Sequence, residues 1–189
     1  MERLSFPQIR KKPHQSTVRL STMETMTSLQ AVRVIETPIG NIAIGSTELG
    51  VSNVEILPPE KVRSEFTESK AASRHSDSAA RQLLEYFSGG RTEFDLDYDL
   101  HGTEFQKAVW NQITQIGFSE SRSYGDIAAA LGKPAAYRAV GGAVGANPVP
   151  LLIGCHRVLG SNRKLTGYTG GQGLKTKLWL LDHERVEYR

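Results

Sequence analysis

A single cysteine, Cys155, stands among 189 residues. No internal disulfide can form, and a thiolate metal site has almost nothing to be built from. Long apolar runs are missing as well. No stretch approaches the roughly 18 apolar residues that a membrane span requires, and the N-terminus lacks the apolar core of a secretory signal. What remains is an ordinary soluble composition, 39% apolar and 23% charged, expected in a reducing intracellular compartment, nuclear or cytoplasmic. A chain of this length holds one medium domain or two small ones sharing an interface.

The net charge of +3 conceals an asymmetry: +3 over residues 1–40, −5 over 41–100 and +5 over 101–189. The last segment tolerates a polyanion and the middle one does not. Residues 1–30, rich in Ser, Thr, Lys and Arg without apolar period, read as a flexible tail. Within it, Arg10-Lys11-Lys12 is either a solvated run, a weak nuclear signal or a transit-peptide remnant.

Regular structure is expected from Ala31. Val32, Val34, Ile42 and Ile44 alternate around Pro38-Ile39-Gly40-Asn41 and predict a hairpin, and Val51 to Leu57 adds a strand. Ser78 to Phe87 reads as a short helix stopped by Gly89-Gly90. Phe94, Leu96, Tyr98 and Leu100 alternate with Asp95, Asp97 and Asp99, predicting a half-buried strand. Its acids suit a wet outer face better than a cation site. This first unit, 31–100, is a small α/β domain without chemistry of its own.

A second unit, 101–189, is expected to be mainly helical. Thr103 and Gln106 form a capping-box pattern, followed by Phe105, Val109, Trp110, Ile113 and Ile116 on one helical face. Asp126 to Leu131 is a short helix closed by Gly132-Lys133-Pro134. A third helix has Ala136, Ala139, Val140, Ala143 and Val144 on one face. Two short helices joined by a tight turn make a helix-turn-helix. Gly141, Gly142 and Gly145 cost that helix about 1 kcal/mol each relative to Ala. Small residues there admit a close approach, either by a neighbouring element or by a nucleic-acid groove, and Arg138 on the same helix favours the groove.

A lone intracellular cysteine is most often a buried small hydrophobe. Around Cys155, however, Pro148, Pro150 and Gly154 impose an unusual backbone, and His156 and Arg157 follow at once. Positive neighbours lower a thiol's pKa. In an extended segment consecutive side chains diverge, so a water is expected to link His156 to the sulfur. Glu184, near the end of a helix carrying Leu174, Leu178 and Leu181, is the candidate carboxylate to orient the imidazole.

The segment Asn147 to Val158, NPVPLLIGCHRV, resembles the active-site signature of the O6-alkylguanine-DNA alkyltransferases. Ser123-Tyr124-Gly125-Asp126-Ile127-Ala128 resembles the first helix of that family's (winged) helix-turn-helix, and Tyr137-Arg138-Ala139-Val140-Gly141-Gly142 its recognition helix. Gly167-Tyr168-Thr169-Gly170-Gly171 resembles its pocket loop, and Trp179 to Glu184 its last helix. The likeness covers about residues 31–185. It implies an α/β two-domain fold: a small N-terminal domain with an antiparallel sheet and a helical C-terminal domain that binds double-stranded DNA containing O6-alkylguanine.

The resemblance also implies roles. Cys155 takes the alkyl group irreversibly, His156 acts through water as its base, Glu184 holds His156, and Asn147 braces the turn. Tyr124 sits by the rotated phosphate and donates to the guanine ring. Backbone carbonyls near Cys155 and Val158 read the exocyclic amine, the Thr169 backbone faces O6, and Tyr168 walls the alkyl pocket. Arg138 fills the gap left by the extruded nucleotide, while Ala139, Gly142 and Ala143 lie against the minor groove. No cofactor is implied, and a monomer is expected. With one cysteine, the zinc held by some members in their N-terminal domain has no ligand set here.

Two departures stand out. Gly154 replaces the usual proline, predicting a looser backbone and slower chemistry, since about 1 Å of misplacement can cost a hundredfold in rate. Gly145 stands where some relatives carry a basic residue, which predicts weaker phosphate contact. Other readings explain less. A cysteine hydrolase needs an oxyanion hole and has no use for a helix-turn-helix, and a transcriptional regulator leaves Cys155-His156 without purpose. A lesion-binding relative without transfer activity usually lacks the cysteine.

Overall fold

A computed structural model describes residues 29–57 and 69–189. The expected tail, including Arg10-Lys11-Lys12, lies outside the described residues apart from its last two positions. Three antiparallel strands, β1 (Ala31–Thr37), β2 (Gly40–Ser46) and β3 (Val51–Leu57), form one sheet in that order. The predicted hairpin turns through Pro38-Ile39, and Gly40 has φ +111. A Cβ at Gly40 would lie 2.6 Å from the Leu57 carbonyl oxygen, so only glycine lets β2 begin beside the end of β3.

Helix α1 (Lys70–Phe87) packs on this sheet and begins two turns earlier than its apolar pattern predicts. Its buried face in those early turns is Ala72 and Ser76, too small and polar to register as a hydrophobic period. The end is as expected, with Gly89 in the left-handed region.

The predicted strand at 94–100 is corrected by the structure. Only Tyr98 bridges to the sheet, through Val51. Further back, Gln82 of α1 takes over the backbone at Asp95, accepting from its N–H at 2.9 Å and donating to its carbonyl at 2.8 Å. A side chain thereby satisfies groups that a ladder would otherwise claim.

Helix α2 (Glu104–Thr114) starts with the full Thr103/Gln106 capping box and buries Val109, Trp110 and Ile113. After the short strand β4 (Arg122–Ser123) comes α3 (Tyr124–Ala130), capped reciprocally by Ser123 and Asp126. A 3₁₀ turn at Pro134–Ala136 leads into α4 (Tyr137–Gly145), completing the helix-turn-helix. Trp110 ties α2 to α4 by donating from Nε1 to the Ala143 carbonyl at 2.8 Å. Strand β5 (Val158–Leu159) pairs in parallel with β4, which sets the start of α3 beside the cysteine segment. Helix α5 (Leu174–His183) closes the fold.

The face that α5 buries differs from the expected one. Thr176, Lys177, Leu180 and Leu181 are inward, while Leu174 is exposed and Leu178 only half-buried. Two polar residues occupy core positions because each finds a partner there: Thr176 accepts from the Gln172 N–H and Lys177 donates to the Val158 carbonyl.

Candidate active site

The chain enters the site through Asn147-Pro148-Val149-Pro150. Asn147 spans the turn, donating from Nδ2 to the Ile153 carbonyl at 2.8 Å and accepting the Val149 N–H at 3.1 Å. Enclosed by this brace, Leu151 holds φ +77, a left-handed conformation that costs a side-chain-bearing residue about 1–3 kcal/mol. The Pro148 carbonyl accepts from the Val54 N–H at 2.8 Å, anchoring the turn on the N-terminal sheet.

Cys155–Arg157 is a 3₁₀ turn rather than the extended segment expected. Gly154 before it has φ −68, within proline's range. It is not loose. A Cβ there would lie 2.9 Å from Arg157 Nε, because the guanidinium lies against the Gly154 backbone.

Glu184, fully buried, gathers the site. Its Oε1 accepts from the Tyr86 hydroxyl at 2.7 Å, faces His156 Nε2 at 2.8 Å and accepts from an Arg157 terminal nitrogen at 3.0 Å. Its Oε2 accepts from Arg157 Nε at 2.7 Å. Arg157 also donates to the Ile116 carbonyl at 2.6 Å. Burial opposes ionisation of Glu184, but His156 and Arg157 outweigh it and bring the carboxyl down to about 2. An ionised carboxylate only accepts, so His156 Nε2 carries the hydrogen. Burial holds the imidazole pKa below its ordinary value and hence the ring neutral, against the pull of Glu184. Nδ1 then presents a lone pair, and it is buried without a hydrogen-bond partner.

Cys155 is 6% exposed. It packs within the hydrophobic core, where Asn147, Tyr168 and Lys177 nonetheless favour ionisation of the sulfur. Burial nevertheless dominates and pushes the thiol up, so the resting sulfur is protonated. This corrects the expectation of a thiol lowered by its sequence neighbours. Arg157, the nearest cation in sequence, is spent on Glu184. The Tyr168 hydroxyl is buried beside the sulfur without a hydrogen bond of ordinary geometry, and burial and Cys155 both raise it.

The remaining predicted residues divide between pocket and surface. Tyr124 is half-buried, its hydroxyl 3.1 Å from Thr166 Oγ1. The Val158 carbonyl already accepts from Lys177 at 2.7 Å, and the Cys155 carbonyl accepts from the Val158 N–H. Thr169 is exposed on the loop before α5. Arg138 is exposed, its guanidinium 5.6 Å from the Tyr137 ring centroid. Ala139 and Gly142 are exposed, and a Cβ on Gly142 would meet nothing within 4 Å. Ala143 is corrected: it turns inward with Val140 and Val144, so its side chain belongs to the core and not to an outer face. Gly141 faces the Tyr124 ring, the helix-packing alternative, whereas Gly142 and Gly145 face open space. Among the described residues no three His, Cys, Asp or Glu side chains group as a metal site.

Residues 104–186 match the family described as 6-O-methylguanine DNA methyltransferase, DNA binding domain. A methylated-DNA–protein-cysteine methyltransferase of Methanosarcina barkeri is 42% identical over 156 residues, spanning 81% of this chain and 97% of that protein. The chain belongs to this methyltransferase family. The constitutive Bacillus subtilis member is 40% identical, covering 82% of this chain and 94% of its own. Among solved structures, the Mycobacterium tuberculosis O6-methylguanine methyltransferase is 40% identical with a TM-score of 0.69, over 82% of this chain and 92% of that one. A structure of the M. tuberculosis protein in complex with DNA gives 42% and 0.71 over the same shares. The two-domain fold with a helical C-terminal domain is that of these neighbours.

Within this methyltransferase fold the sequence reading missed the roles of four site residues. Tyr86 reaches Glu184 from α1, so the N-terminal unit does contribute to the site. His183 reinforces that junction, its ring nitrogen 2.9 Å from the Tyr86 carbonyl and its ring stacked on Trp179. Arg157 was noticed only as a neighbour of the thiol, and Lys177 not at all. The signal for Lys177 was its position, one helical turn before the inward Leu181.

Proposed function

We propose that this protein repairs DNA by moving an alkyl group, in the simplest case methyl, from O6 of guanine to Cys155, irreversibly and once per molecule. O4-alkylthymine is an expected second substrate. As a methylated-DNA–protein-cysteine S-methyltransferase it needs no cofactor. It binds double-stranded DNA, as the DNA complex of its M. tuberculosis relative supports. Residues 31–100 serve as the supporting domain and 101–189 as the DNA-binding and transfer domain. The proposed working state is a monomer in the nucleus or cytoplasm, where a lone thiol stays reduced.

The observation that carries this reading is the Glu184–His156 pair. It leaves Nδ1 as an unpartnered base next in sequence to a protonated thiol. In the proposed step the Cys155 S–H proton passes through a water to Nδ1. The sulfur lone pair then attacks the alkyl carbon in line, the S–C bond forms, the C–O6 bond breaks, and guanine leaves with the electron pair. Tyr124 donates to the guanine ring as charge builds there. The Val158 carbonyl, with its second lone pair, accepts from the exocyclic amine; the Thr169 backbone faces O6, and Tyr168 lines the alkyl pocket. Asn147 keeps the turn and the sulfur in place. Arg138 fills the stack where the base has left, at an unstacking cost of a few kcal/mol, and Ala139 and Gly142 lie against the minor groove. A lesion binder without transfer is not favoured, because Cys155 is present with its base and orienting carboxylate.

Incubation with duplex containing O6-methylguanine should add one methyl by intact mass, located on Cys155 by peptide mapping. Cys155→Ala should abolish the gain while still binding the duplex. A methyl on any other residue, or none, would overturn the assignment.

A further inference from the structure

Tyr124 opens α3, and Thr166 lies 42 residues on, in the loop before α5. Their hydroxyls meet at 3.1 Å, and each is the other's only hydrogen-bond partner among the described residues. Both side chains are half-buried, and both are held in place from outside the pair. The Tyr124 ring rests against α4 at Gly141, 3.8 Å from where a Cβ would stand. The Thr166 methyl lies on the Gly160 backbone, 3.0 Å from where a Cβ there would stand. Beside it, the Leu165 N–H donates to the Arg189 carbonyl at 2.9 Å and pins the loop. A β-branched side chain has few χ1 choices. With the methyl seated on Gly160, the hydroxyl is left aimed at Tyr124.

A phenol has one proton to give. In the reaction proposed above, Tyr124 gives it to the guanine ring and so cannot also give it to Thr166. The Thr166 hydroxyl carries a proton of its own and can turn about its C–O bond, so it donates to the phenol oxygen instead. A donor feeding that oxygen polarises the O–H bond, and hydrogen bonds linked in this way strengthen one another. Valine would fill the same space as threonine but leave the phenol oxygen without a partner.

We infer that Thr166 is a positioning residue for the transfer reaction, acting through Tyr124. It fixes the direction of the phenol and completes a chain running from the Thr166 hydroxyl to the Tyr124 hydroxyl to guanine. Each proton stays on its own oxygen throughout. The inference rests on the role proposed for Tyr124.

Single-turnover transfer from duplex containing O6-methylguanine, followed against DNA concentration, reads the effect. Thr166→Val should lower the limiting rate about three- to tenfold, the worth of one neutral hydrogen bond, with the half-saturating DNA concentration unchanged. Thr166→Ser keeps the hydroxyl and should recover most of the loss. In a Tyr124→Phe background, Thr166→Val should cost nothing further. An unchanged rate in Thr166→Val, a full loss in Thr166→Ser, or additive losses in the double variant would reduce Thr166 to a packing residue and overturn the inference. A second measurement needs no DNA. The Tyr124 Cζ resonance should move in Thr166→Val and stay near its wild-type position in Thr166→Ser; a resonance unmoved in both would also overturn the inference. Wild-type protein that transfers no methyl would sink the repair reading instead, while the resonance still decides the Thr166 contact, so the two fail separately.

Discussion

Glu184 Oε1 lies 2.8 Å from His156 Nε2, with both side chains completely buried. The pair does two things at once. It fixes the imidazole tautomer, so that the free lone pair is on Nδ1, and it anchors Arg157, whose guanidinium lies against Gly154. Base orientation and the backbone that carries the thiol therefore share one carboxylate.

Removing that charge should damage both. Glu184→Gln leaves Arg157 buried without its anion, a loss of about 3–5 kcal/mol for a broken buried pair. Urea denaturation should register it, and single-turnover transfer should slow by more than the unfolded fraction explains. A variant of wild-type stability would mean that Arg157 finds another anion.

The pH dependence has a defined sign. His156 is held below its ordinary 6.5 and Glu184 falls from 4.5 to about 2. Groups whose folded pKa is depressed contribute stability above their unfolded pKa and lose it as pH falls towards the folded value. Stability should therefore decline first below about 6.5 and again from about 4.5 towards 2. Urea midpoints across that range should show both steps, and Glu184→Gln should shrink the lower one, to which Asp126, lowered by Ser123, still contributes.

Tyr86→Phe removes a hydrogen bond to a charged acceptor across the junction of α1 and α5, worth about 1.5–3 kcal/mol. Three other donors still hold Glu184. The expected result is a lower melting temperature with transfer slowed far less than in Glu184→Gln. Equal slowing in the two variants would contradict this ordering.

Gly154→Ala tests the contact with Arg157. The added Cβ needs the guanidinium to move while three hydrogen bonds resist, so overpacking of about 1–3 kcal/mol and slower transfer are expected. Unchanged stability and rate would show that the arginine yields.

Arg138 is exposed and makes no ion pair among the described residues. Arg138→Ala should leave folding unchanged and slow repair of duplex more than reaction with the free modified base. Equal losses on the two substrates would remove it from base extrusion.

What the sequence determined by itself was everything encoded locally. The β1–β2 hairpin, the capping boxes at Thr103 and Ser123, the helix-turn-helix and the Asn147–Val158 signature all lie within short windows. There, periodicity, turn residues and caps act directly on the backbone. Cys155, His156 and Glu184 were named on that basis together with the family likeness. Tertiary structure decided which charges meet. Arg157 adjoins the thiol in sequence yet is neutralised by a carboxylate 27 residues away, while Lys177, apparently one more polar residue of α5, is buried with its ammonium on the Val158 carbonyl. Tyr86 arrives from 98 residues away. Such pairings leave no period in the chain, because Coulomb forces and desolvation depend on distance and burial in the folded protein. The same holds for the protonation of Cys155, where burial outweighs every favourable neighbour.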